Sequence, residues 1–227
     1  MDFNGIYVDS KKIDPKVLNE YLNALEKIFI KYPNLKNRID YIGPLKGFFN
    51  EITSLLKNVY DYNYKYSLKE KNEIYNSTFV VTCPLSDPHD PFEETNFIIM
   101  GINERLNYYK TYLKLYKVHN KNFLYAQNIE ELLYHEVGHM FSYLFNLLKS
   151  DDVITNIYML MSKKDGLYSD YSLNSFEEFI AEHFSKYLVD PHYNKATEYI
   201  GYIINDLYKL HEDTSLFEKT NKRILSK

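Results

Sequence analysis

The sequence predicts an α+β fold, predominantly helical with a small sheet, on three observations. Apolar residues recur at helical spacing over most of the chain. Segments 38–43, 77–85 and 96–102 instead alternate in polarity or are rich in β-branched residues. The order is one helix, a few strands, then a run of helices, which implies a small sheet packed on a helical layer. The 227 residues suit a single domain, 1–227, with an N-terminal helical part at about 1–75 and a core at about 76–227.

Asp14-Pro15 opens the first helix, since proline is welcome in a first turn. Val17, Leu18, Tyr21, Leu22, Leu25, Ile28 and Phe29 carry its apolar stripe to about Ile30, and Tyr32-Pro33 ends it. RIDYIG, 38–43, reads as a short strand. Residues 44–60 read as a helix with Leu45, Phe48, Phe49, Ile52, Leu55 and Leu56 on one side. The polar, Tyr/Lys/Asn-rich stretch 61–76 reads as a loop. STFVVTCPL, 77–85, reads as a strand, SDPHDP, 86–91, as a proline-punctuated turn, and NFIIMGI, 96–102, as a second good strand. Helices are expected at about 104–118, 129–148, 152–163, 175–189 and 193–211.

The net charge of −4 gives no electrostatic footprint for nucleic acid and no polybasic membrane anchor. No uncharged apolar stretch approaches the roughly 18 residues of a membrane span. The start, MDFNGIYVDSKKIDP, carries an early acid and no leader-length apolar run, which predicts a cytoplasmic protein, with export by another route or a removed leader left open. The single cysteine, Cys83, excludes an intrachain disulfide and a Cys-rich zinc finger, and reads as core rather than nucleophile. A metal here must use His and carboxylate ligands.

LLYHEVGHMF, 132–141, supplies them. Asn128 followed by Glu131 is a capping-box pattern, so a helix starts near Ile129. On it His135 and His139 stand one turn apart on one face, placed for one tetrahedral Zn²⁺. Glu136 is offset by about 100° around the helix, out of the ligand set but able to reach a water beside the ion. This is the H-E-x-x-H arrangement of two ligands and a general base. With this composition, chance placement gives it about once in 60 such chains. Gly138, costly inside a helix, implies a close approach by another element.

A third ligand must come from elsewhere, because catalytic zinc keeps three protein ligands and one open position. Ser142 and Phe145 stand where the longer metzincin motif has Gly and His, which removes that class. The best source is YSDYSLNSFEEFIAEHFSKYL, 168–188. Asn174 as its cap gives Glu177 a capping role, whereas Ser175 as cap moves that role to Glu178. Glu178 and Glu182 share a face with Ala181 and Ser185, opposite Phe176, Phe179, Ile180, Phe184 and Tyr187. His183 is a rival ligand on the Phe side. His89 and Asp90 read as a turn, and His119, His192 and His211 as surface residues.

HEVGH, then Tyr171, then NSFEEFIAEHF resembles the catalytic domain of anthrax lethal factor and the Pro-Pro endopeptidases, gluzincin metallopeptidases with phage-encoded relatives. The close likeness covers about 129–189, with a fainter one in KYPNLKNRIDYIG and NFIIMGIN. The resemblance implies a zincin-like fold with the sheet packed on the active-site helix, and one Zn²⁺ per chain on His135, His139 and Glu178. It implies Glu136 as base, Tyr171 as the catalytic tyrosine and Glu182 as the partner orienting a ligating histidine. It further implies that Asn96, Phe97, Ile98, Ile99, Met100, Gly101 and Ile102 form an edge strand that pairs with substrate. The expected function is a zinc-dependent endopeptidase acting on a peptide or protein substrate; the alternative is a catalytically inactive module of the same fold that binds a partner.

Overall fold

The computed structural model describes residues 1–85, 97–121, 124–147, 156, 158, 169 and 171–217. Its first elements were not foreseen. Strands β1 (Asp2–Phe3) and β2 (Ile6–Val8) form a hairpin around Asn4-Gly5. Both turn residues have positive φ, 55° and 82°. An Asn-Gly pair between alternating apolar residues is the sequence signal for such a turn; it was present in DFNGIYV.

Helix α1 (Pro15–Lys31) starts where proline placed it, with the Asp14 carboxylate accepting the Lys16 amide at 2.9 Å. The expected stripe is its buried face. A 3₁₀ turn, Pro33–Asn37, leads into β3 (Ile39–Pro44), followed by α2 (Leu45–Tyr60). The stretch expected as a loop at 61–76 contains helix α3 (Leu68–Ser77), opened by a complete Ser67–Glu70 capping box. None of its residues is buried, so it has no apolar stripe for periodicity to detect. Strands β4 (Val80–Leu85) and β5 (Phe97–Ile102) follow. Helix α4 (Tyr108–His119) starts four residues later than expected, capped by Asn107. Helices α5 (Ile129–Leu144), α6 (Phe176–Val189) and α7 (Lys195–His211) complete the described helices. The turn expected at 86–91, with His89 and Asp90, lies outside the described residues, as does almost all of the helix expected at 152–163.

The five strands form one sheet in the order β1-β2-β3-β5-β4. β2, β3 and β5 are mutually parallel, while β1 and β4 run antiparallel to their neighbours. Segment 1–75 is therefore more than a helical appendage: it supplies three of the five strands. The order also corrects one expectation. The 97–102 segment is a strand but not an edge, because β3 pairs along one side and β4 along the other. Asn96 lies outside the described residues. Among the described residues the edges are β1 and β4, and β4 is the one beside β5. Patterning gave the strand; its place at the edge came from the resemblance, and strand order is set by long-range pairing that no local pattern reports.

Two apolar clusters flank the sheet. One joins the sheet to α1, α5, α6 and α7; the other packs α2 against Tyr41, Leu85 and Ile99. Cys83 sits on the α2 side, where burial pushes its thiol up to about 11. Helix α5 is buried on nearly all sides and crosses α6 at closest approach beside Gly138. A Cβ at Gly138 would lie 2.7 Å from the Cα of Ala181. The close approach that the glycine implied is the backbone of α6. No described helix is long and apolar enough to cross a membrane.

Candidate metal centre

The crossing brings three side chains together. His135 and His139 project from one face of α5, and Glu178 from the first turn of α6. The two Nε2 atoms are 3.1 Å apart. Glu178 Oε2 lies 3.0 Å from Nε2 of His135 and 3.4 Å from Nε2 of His139. It is buried, yet it forms no well-aligned hydrogen bond with either. Three such atoms facing one another so closely could hold a cation between them. Their spacing fits one: ligands at about 2.0–2.1 Å around a tetrahedral Zn²⁺ stand about 3.3–3.4 Å apart. His, His and Glu are also a donor set that zinc accepts.

The phase of α6 decides which glutamate joins the set. The cap is Ser175, whose hydroxyl accepts the Glu178 amide at 3.2 Å. Asn174 is not the cap, so Glu177 has no capping role. Glu178 does not reach back to the cap either, since its carboxylate is directed at the histidines. Glu177 lines the mouth of the same cleft. At the other helix, Asn128 accepts the Glu131 amide at 2.9 Å, and Glu131 returns to the Gln127 amide at 2.9 Å. The capping pattern is present, with its return bond one residue earlier than the simplest box.

Glu182 is fully buried one turn beyond Glu178. Its Oε1 lies 3.0 Å from His135 Nδ1, off the line of an ideal hydrogen bond. Its Oε2 accepts from the Ser169 hydroxyl at 2.8 Å and the Tyr125 amide at 3.1 Å. A carboxylate behind Nδ1 favours a proton on that nitrogen and leaves Nε2 free to ligate. Burial opposes charge on His135, but the Glu178 and Glu182 carboxylates packed against it outweigh this and push the ring up to about 10. Glu178 is in turn held well below the usual carboxylate range: burial opposes this, and the two histidines against its carboxylate overcome it. The pocket is built for positive charge.

Glu136 faces the cleft but stands outside the triad. Burial raises its proton affinity, and the two imidazoles and Thr82 pull it back. Tyr171, in a 3₁₀ turn ahead of α6, brings its ring centroid to 5.9 Å from that of His135. Burial, together with the charge and hydrogen bonding of Glu178, keeps its phenol protonated. His183, the rival ligand, points away and bonds Thr197 at 2.9 Å. Tyr168 lies outside the described residues.

The triad opens onto a cleft of about 410 Å³ whose other wall is Thr78, Val80, Val81 and Thr82 of the edge strand and its approach. Tyr143 closes one end, its ring within 18° of parallel to that of His139 at 6.2 Å. A recess of about 150 Å³ adjoins on the far side of His135, Glu136 and Tyr171, lined by Phe79, Val80, Val118, Leu124 and Leu132. Tyr143 was legible in principle, one turn beyond His139 on the same face. The β4 residues, Ser169 and Tyr125 carried no sequence signal, because only the fold brings them here. Set against family models, curated proteins and solved structures, the chain finds no match.

Proposed function

We propose that this protein is a zinc-dependent endopeptidase of zincin-like fold, holding one ion on His135, His139 and Glu178. The observation that carries the reading is the placement of Glu136: a buried carboxylate outside the ligand triad that faces the same cleft. When bound, zinc supplies a Lewis acid that polarises a scissile carbonyl and makes water a nucleophile at neutral pH. Glu136 accepts the proton of the attacking water and delivers it to the leaving amine as the C–N bond breaks. Its raised proton affinity suits that exchange. The Tyr171 phenol, kept protonated, donates to the oxygen that gains charge. Glu182 fixes the His135 tautomer from behind.

The substrate is an extended peptide that adds to the sheet along β4, not β5. The apolar recess beside Glu136 accepts an apolar side chain next to the scissile bond. The test is digestion of a proteome-derived peptide library with the zinc-loaded protein, read by mass spectrometry, with Glu136→Gln as control. The expected result is internal cleavage, enriched in apolar residues at one flanking position and absent in the control. Stoichiometric zinc without cleavage would replace this reading with that of a metal-bearing binding module.

A further inference from the structure

The edge strand does more than border the cleft. The Phe79 carbonyl accepts from the Asn103 amide at 2.9 Å, and the β4–β5 register pairs Val80 with Ile102, Val81 with Gly101 and Thr82 with Met100. Bonding alternates along an antiparallel ladder. Val81 and Cys83 therefore bond to β5, while the amides and carbonyls of Val80 and Thr82 point outward. Pro84, the next outward position, needs no amide proton for β5, which is how an edge tolerates proline. A peptide added to β4 would bond to the main chain of Thr82.

The Thr82 side chain is on the cleft side, against Glu136. It is buried, and its Oγ1 has no well-aligned hydrogen-bond partner. A buried hydroxyl left in this state costs free energy, and valine has nearly the same shape without that cost. Glu136, also buried, lies beside it on a helix whose position is locked by the Gly138–Ala181 crossing. With the backbone fixed, the carboxyl retains only its side-chain torsions. A small turn of the Thr82 hydroxyl completes a hydrogen bond and selects one of them.

We propose that Thr82 is a positioning residue: its hydroxyl orients the Glu136 carboxyl towards the triad, joining the strand that would bind substrate to the base that would act on it. This rests on the hydrolytic reading. The test compares Thr82→Val and Thr82→Ser with wild type, each zinc-loaded, using a peptide that wild type cleaves. Thr82→Val should keep full zinc, hold KM within about twofold and lose about tenfold in kcat, the scale of one hydrogen bond. Thr82→Ser should restore kcat. Crystal structures of the zinc-loaded proteins give a readout apart from activity: Thr82 Oγ1 within about 3 Å of a Glu136 oxygen, and a turned carboxyl in the valine variant. An unchanged kcat in Thr82→Val, zinc loss in that variant, no rescue by serine, or a hydroxyl bonded elsewhere would each overturn the proposal. No cleavage by wild type would overturn the hydrolytic reading itself, and this proposal with it.

Discussion

Glu177 and Glu178 are adjacent and chemically identical, and the roughly 100° between successive helix positions decides between them. Ser175 takes the Glu178 amide, and the Glu178 carboxylate, instead of returning to that cap, leaves the first turn on the side of α5. Glu178→Ala should lose zinc, and Glu177→Ala should keep it with no capping penalty. Ser175→Ala should cost about 1 kcal/mol in a denaturant melt. Metal analysis and melts of the three variants check this, and zinc loss on changing Glu177 would contradict the observed phase. Glu136→Gln should fold and retain zinc while hydrolysis nearly vanishes, since an amide cannot take the water's proton. Zinc loss there would make Glu136 a ligand. Tyr171→Phe should keep zinc and lose about 10²–10³ in kcat, the scale of one oxyanion donor, while Tyr168→Phe changes it by less than about tenfold. Steady-state kinetics on a cleaved peptide would rank the two tyrosines, and a crippled Tyr168→Phe would show that the wrong one was assigned.

At the scale of elements, the site depends on how closely α5 and α6 cross. An alanine at Gly138 would favour the isolated helix by about 1 kcal/mol. It would also place a methyl 2.7 Å from the Ala181 Cα. The obstacle is backbone, not the end of a flexible side chain, so the helices must move apart. Overpacking of this kind costs about 1–3 kcal/mol and outweighs the propensity gain. The same displacement separates Glu178 from the histidines. Gly138→Ala should therefore lower both the melting temperature and the zinc affinity, measured by calorimetry and chelator competition. Wild-type affinity with a raised melting temperature would show that the crossing has slack. The edge strand is the other element that matters, since it alone brings Val80 and Thr82 to the cleft.

At the scale of the whole molecule, a buried histidine outside the triad should govern part of the acid sensitivity. His183 is fully buried, and burial lowers it to about 3. An unfolded chain binds its proton near pH 6.5, so between about 6.5 and 3 the unfolded state holds more protons. The stability due to neutral His183 is present above pH 6.5 and is lost as pH falls, at up to about 1.4 kcal/mol per unit. His183→Gln, which can still bond Thr197, should lose less stability than wild type between pH 7 and 5 in chemical denaturation. Equal slopes for the two proteins would count against the burial argument.

The sequence by itself determined the α5 motif, the offset of Glu136 from the two histidines, the stripes of α1 and α2, and the need for a close neighbour at Gly138. These are local: they depend on residues within one or two turns, where 3.6-residue periodicity and capping chemistry operate. DFNGIYV and the Ser67–Glu70 box were equally local and legible, but the first lies before the first long helix and the second has no apolar face. The tertiary structure alone decided the rest. It chose Ser175 over Asn174 as the cap, turned the Glu178 carboxylate to the histidines rather than back to that cap, put β4 rather than β5 at the edge, and carried Thr82, Ser169 and Tyr125 to the site. Strand order and helix crossing depend on how surfaces from distant segments fit together, and no spacing within one segment encodes that fit.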